Sequence, residues 1–188
     1  MARVPRLTGP DEGFLLAEEK LGFRSPIQYC WVLDADPGIE RIERVAAALG
    51  TGLLHRAIAP RRVPIARRRW VRSSVTPMVI QTARIDDDAI SGWAEQQLRG
   101  ADLRPIVGLG WRVVTTTTTR DRRVVTLLVS HLITDGEALT RALLAAADSV
   151  PTPLPGAETT RGARALRADL RDAAGQLRSA GRSVRSAL

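Results

Sequence analysis

The 188 residues include one cysteine, one lysine and two histidines, and aromatic side chains make up only 4%. A single cysteine, Cys30, excludes an internal disulfide, so a reducing compartment is the natural setting. It lies inside the apolar run Ile27 to Leu33, where a small buried thiol is expected rather than a nucleophile. The two histidines, His55 and His131, have no metal-ligand spacing between them. That argues against a zinc or iron site. No zinc-finger, RNP or helix-turn-helix signature is present, so nucleic acid is not an expected partner. No segment approaches the roughly 20 apolar residues of a membrane helix. No apolar stretch of the signal-peptide kind occupies Met1 to Pro10, so a cytoplasmic protein is expected, with membrane contact at most peripheral.

What is present suits one globular domain. Hydrophobic residues reach 44% and charged residues 26%, and the length allows a real core. The formal net charge is +8, carried almost wholly by arginine. Such a surface favours anionic partners, among them acidic carrier proteins, phosphate-bearing co-substrates and anionic lipid.

Strands and helices alternate along the chain. A capping-type start at Thr8 or Asp11 opens a helix running to Leu21, with Phe14 and Leu15 on its apolar stripe. Ile27 to Leu33 reads as a strand and Asp34 to Gly38 as a turn. Ile39, Ile42, Val45, Ala46 and Leu49 share one helical face, and Gly50 is the stop. Short strands are expected over Leu53 to Ala59, Val63 to Val71 and Met78 to Gln81. Acidic Asp86, Asp87 and Asp88 open a helix to Leu98. Trp111 to Thr119 and Arg123 to Val129 form a hairpin, and a helix from Gly136 to about Ala147 follows. Val150 to Gly156, with three prolines, reads as a linker. The Ala/Arg-rich remainder reads as a solvated amphipathic helix, and Arg67, Arg68 and Arg69 as a solvated face or a contact for phosphates or an acidic carrier. There is no internal repeat.

Chemistry concentrates in Val124 to Leu144. An apolar strand ends at His131, Asp135 and Gly136 follow four residues later, and a helix begins at once. Such strand-to-helix turns hold reactive groups rigidly while leaving them accessible. Imidazole is the side chain best suited to general-base work near neutral pH. Asp135 is equally a helix N-cap, and Gly136 allows a backbone geometry that a Cβ would hinder.

The run Ser130-His131-Leu132-Ile133-Thr134-Asp135-Gly136 resembles the HHxxxDG motif. That motif marks the superfamily of condensation domains, polyketide-associated acyltransferases, wax ester synthases and chloramphenicol acetyltransferase-like enzymes. The flanks are similar in order and spacing: Leu7-Thr8 with Asp11 and Phe14-Leu15-Leu16, then Leu53-Leu54-His55-Arg56, then Leu103-Arg104-Pro105-Ile106 and Gly110-Trp111-Arg112-Val113. The resemblance spans about Leu7 to Ala147. It implies an α/β (α+β) sandwich, a mixed and mostly antiparallel sheet with packed helices. It implies His131 as general base, with Asp135 and Gly136 supporting the motif. Ser130 stands where the family has its first histidine, and a substrate hydrogen bond is the role open to it.

The implied activity is acyl transfer from a CoA or carrier-protein thioester to a hydroxyl or amine, in lipid or natural-product biosynthesis. No bound cofactor is implied; acyl-CoA or a phosphopantetheinyl carrier protein is the co-substrate. Family members have two lobes, and no DFGWG-like signature of the second occurs here. Residues 1–149 would form the N-terminal lobe and 150–188 a linker and basic crossover helix. The expected partner is therefore a second lobe, from the same gene product or a separate chain. The alternative is a non-catalytic lobe serving as a binding or assembly module.

Overall fold

The computed structural model describes residues 5–76, 78–148, 150 and 162–186. The remainder of the expected proline-rich linker, from 151 onward, lies outside the described residues. Helix α1 (Gly9–Leu21) starts at a capping box, in which Asp11 N–H donates to Thr8 Oγ1 and Thr8 N–H donates to the Asp11 carboxylate. It ends at Gly22, whose φ of 66° suits a residue without a Cβ. Strand β1 (Pro26–Leu33) and helix α2 (Ile39–Leu49) follow. The α2 face of Ile42, Ala46 and Leu49 is buried as the periodicity requires.

Next come β2 (Arg56–Ala59), β3 (Arg69–Arg72) and β4 (Val79–Gln81). The first two are shorter than the sequence suggests and pair with each other in a separate antiparallel sheet. A 3₁₀ turn, Asp87–Ala89, leads into α3 (Ile90–Arg99). The hairpin is β5 (Trp111–Thr117) and β6 (Arg123–Ser130), and α4 (Gly136–Ala147) follows. Helix α5 (Gly162–Ser186) closes the chain.

The main sheet has the order β1-β6-β5-β4, antiparallel except for the parallel β4–β5 pair. The register sets Tyr29, Leu127 and Val113 side by side. Alternation sends that row to the face covered by α2 and α4, where Ile42, Leu49, Leu139 and Ala142 complete the core. The opposite row, with Val124 and Val114, packs under Trp93 of α3. Helices thus cover both faces of β6, the strand that carries the motif. This is the mixed α/β sandwich the sequence implies.

Two expectations give way. Cys30 is exposed, because strict alternation puts it opposite Thr126, away from Tyr29 and Trp31, on an edge strand with little above it. Partial burial still pushes its thiol pKa upward, against a nucleophilic role. The basic run is not a solvated face either. Arg67 pairs with Asp172, Arg68 with Glu12 and Glu19, and Arg69 with Asp169. Helix α5 supplies two of those acids, so it lies on the lobe, with Ala165, Asp169 and Ala173 buried.

Acid should loosen this structure. The Arg123 hydrogen bond holds the Asp36 carboxyl below its usual range, and hydrogen bonds from Thr118 and then Arg122 do so for Asp87. Burial pulls Asp172 upward, but hydrogen bonds from the Arg67 side chain and backbone outweigh it and leave it lowered. A carboxyl depressed on folding adds stability above the unfolded-state value and loses it as pH falls through the folded one. Melting temperature should therefore hold near neutrality and drop below about pH 4. A melting temperature that stays flat to pH 2 contradicts these pairings.

Candidate functional site

Strand β6 delivers the motif. At its end the Ser130 N–H donates to the Gly110 carbonyl at 2.8 Å. Ser130 is 6% exposed, and its Oγ accepts from the Leu132 N–H at 3.3 Å. That hydroxyl stabilises the turn locally. The His131 N–H donates to the Ser25 carbonyl at 3.1 Å, and the Ile133 N–H to the Ser130 carbonyl at 2.8 Å. Leu132 and Ile133 are buried, so the turn is anchored by apolar side chains below and backbone bonds on both flanks.

Arg56, from the Leu53-Leu54-His55-Arg56 flank, reaches the same turn. Its Nε donates to the Ile133 carbonyl at 2.9 Å and its Nη2 to the same oxygen. The guanidinium lies 4.0 Å over the Trp70 ring, a cation–π contact that helps hold it. Burial lowers the Arg56 pKa, opposed by the charges of Asp11 and Asp135. Arginine nevertheless stays protonated at any working pH.

Asp135 caps α4, accepting from the Ala138 N–H at 2.8 Å, so the capping role is realised. Gly136 departs from its expected role. A Cβ there would meet nothing within 4 Å, and its φ is not positive. The close approach instead occurs at Gly110, where a Cβ would lie 2.5 Å from Ile133 Cγ1. Gly110→Ala should cost about 1–3 kcal/mol through overpacking. Ile133→Val should soften that penalty in the double variant, measured by urea unfolding; additive costs contradict the contact.

The His131 ring itself is exposed. It stacks on Phe14 of α1, with centroids 5.4 Å apart and planes inclined by 11°. Among the described residues the imidazole has no hydrogen-bond partner. Sequence reasoning placed Phe14 on the apolar stripe of α1, yet it is 42% exposed. Its contact with His131 has no local signal, and Gly110 stood out in the sequence only as part of the flank that opens the hairpin. The His55 pKa is lowered by burial and by Arg72. The His55 Nδ1 is buried without a partner among the described residues. No metal-binding group of three or more acidic, histidine or cysteine side chains occurs among the described residues. No helix among them is long and apolar enough to cross a membrane.

The fold is shared with known structures. The chain is similar to the first condensation domain of the calcium-dependent antibiotic synthetase, in complex with a substrate analogue. There the TM-score is 0.60 at 16% identity, covering 95% of this chain and 44% of that one. It is also similar to the starter condensation domain of the rhizomide synthetase, with a TM-score of 0.60 at 11% identity, covering 81% and 40%. A chain in the complex of the X-domain and OxyB from teicoplanin biosynthesis gives 0.61 at 17% identity, covering 97% and 40%. No protein-family model matches the sequence, and no curated protein does. The fold is that of a condensation-domain-like N-terminal lobe. The chain spans 40–44% of the length of these three solved chains.

Proposed function

We propose that this lobe supplies the general base of a condensation-type acyltransferase, with His131 as that base. The observation that carries the reading is the exposed His131 imidazole on a turn fixed by Gly110, Ser25 and Arg56. The donor is an acyl thioester, on coenzyme A or on a carrier-protein phosphopantetheine, and the acceptor is a hydroxyl or amine. His131 takes the acceptor's proton as its oxygen or nitrogen attacks the thioester carbonyl. The tetrahedral intermediate then collapses, the C–S bond breaks, and the proton passes to the departing thiolate. An ester or amide and a free thiol result. No covalent enzyme intermediate is needed, since among the described residues no side chain is hydrogen-bonded to the His131 imidazole as an activated nucleophile would be.

The catalytic cleft needs a second wall, which the second lobe of the family provides. Asp135 holds the turn through its cap, and Ser130 serves the turn through Leu132. A second reading has its own observation: Ser130 replaces the family's first histidine and is turned inward, as suits a lobe kept for binding or assembly. The test is thiol release from an acyl thioester by the complete two-lobe enzyme, with and without His131→Ala. Equal rates would leave the binding-module reading in place.

A further inference from the structure

We propose that Phe14 is a positioning residue for the His131 imidazole, fixing the ring by stacking where a hydrogen bond would ordinarily do so. This rests on His131 acting as base. A catalytic imidazole usually has its second nitrogen held by a carbonyl or carboxylate, which sets tautomer and orientation. Here no such acceptor faces the ring among the described residues, and the terminal torsion of histidine is intrinsically broad and roughly two-fold. Left alone, the ring would rotate.

Phe14 limits that rotation. The near-parallel stack, 11° between planes at 5.4 Å, leaves the ring edge, which carries both nitrogens, unblocked. The helix that carries the phenyl group is anchored in turn. Neighbouring Leu15 is 1% exposed, and Arg68 ties Glu12 and Glu19 of α1 to the lobe. Phe14 itself is too exposed to be a core residue, so its position is best explained by what it touches. The capped opening Thr8 to Asp11 thereby gains a purpose: it sets the start of the helix that brings Phe14 over the imidazole. An aromatic pair of this kind biases the productive orientation about 2- to 10-fold over an unstacked ring.

The chain has only two histidines, so their ring protons are readily assigned by NMR with His131→Ala as reference. The His131 ring protons should lie upfield from the ring current of Phe14. Phe14→Leu should move them downfield, and Phe14→Tyr should leave them in place. In the complete two-lobe enzyme, release of coenzyme A from an acyl-CoA should show kcat lowered about 2- to 10-fold in Phe14→Leu, with KM unchanged and kcat restored in Phe14→Tyr. Unmoved ring protons in Phe14→Leu overturn the proposal, because the stack is then not populated in solution. Moved protons with unchanged kcat, while His131→Ala is inactive, overturn the positioning role and leave the base assignment standing. Full activity in His131→Ala removes the base assignment and, with it, the role of Phe14. Phe14→Tyr keeps the aromatic packing, so its result is readable even if Phe14→Leu lowers the melting temperature.

Discussion

His131→Ala should lower acyl transfer by the complete enzyme about 10²- to 10⁴-fold, the usual contribution of a positioned general base. The backbone of the turn does not depend on the imidazole. Its ties run through the N–H groups of Ser130, His131 and Ile133 and through Arg56, all of which survive the substitution. The ring is exposed, so its removal leaves no cavity, and the melting temperature should stay within the range of a surface change. The loss should therefore fall on turnover with little change in stability. Raised pH should not rescue the variant, whereas added imidazole should do so in part. A variant that transfers at the wild-type rate would falsify the assignment.

Asp169→Asn is the substitution expected to damage stability most. The Asp169 carboxylate is 0% exposed and lies 2.9 Å from Arg6 Nη2 and 3.2 Å from Arg69 Nε. It also accepts from the Arg62 backbone N–H at 3.0 Å. Arg6 and Arg69 side chains are only 7% and 5% exposed. Removing the shared acid leaves Arg6 with its Asp172 contact at 3.4 Å and takes one charged partner from buried Arg69. Breaking a buried ion-pair network of this kind costs about 3–5 kcal/mol, or roughly 6–20 °C in melting temperature for a chain of this size. The control is Glu95→Gln, whose partner Arg99 is 76% exposed; exposed pairs of that kind contribute at most about 0.5 kcal/mol. Equal effects from the two variants would mean that α5 does not dock on the lobe in solution.

Local signals made part of this legible from sequence alone. The helix over Ile39–Leu49 and the one over Gly136–Ala147 follow from apolar spacing and from glycine or aspartate at their ends. The β5–β6 hairpin follows from a run of β-branched residues on either side of Asp121, whose φ of 56° makes the turn. The turn that carries the candidate site was legible to the same extent: His131 and Asp135 lie on one continuous strand-turn-helix, so the sequence order is also the spatial order. What could not be read involves residues distant along the chain. Nothing periodic links Phe14 to His131, Arg56 to the Ile133 carbonyl, or Arg67, Arg68 and Arg69 to acids on α1 and α5. Ion pairs between remote segments leave no pattern, and a basic run looks alike whether it is neutralised or bare. Gly136 drew attention through the motif, while Gly110, where backbone and side chain meet, had only its neighbours to mark it.

The docking of α5 also decides where the protein's charge is felt. Both of its acids, Asp169 and Asp172, turn inward to the arginines of the lobe, while Arg164, Arg167, Arg171, Arg178 and Arg182 remain exposed on the outer side. Five exposed cations therefore stand along the outer side of one helix, with no acid of that helix beside them. An approaching polyanion meets an oriented field there, one that reaches about 8 Å at physiological ionic strength before mobile ions screen it. Diffusional encounter of a polyanion with that side should accordingly be sensitive to salt.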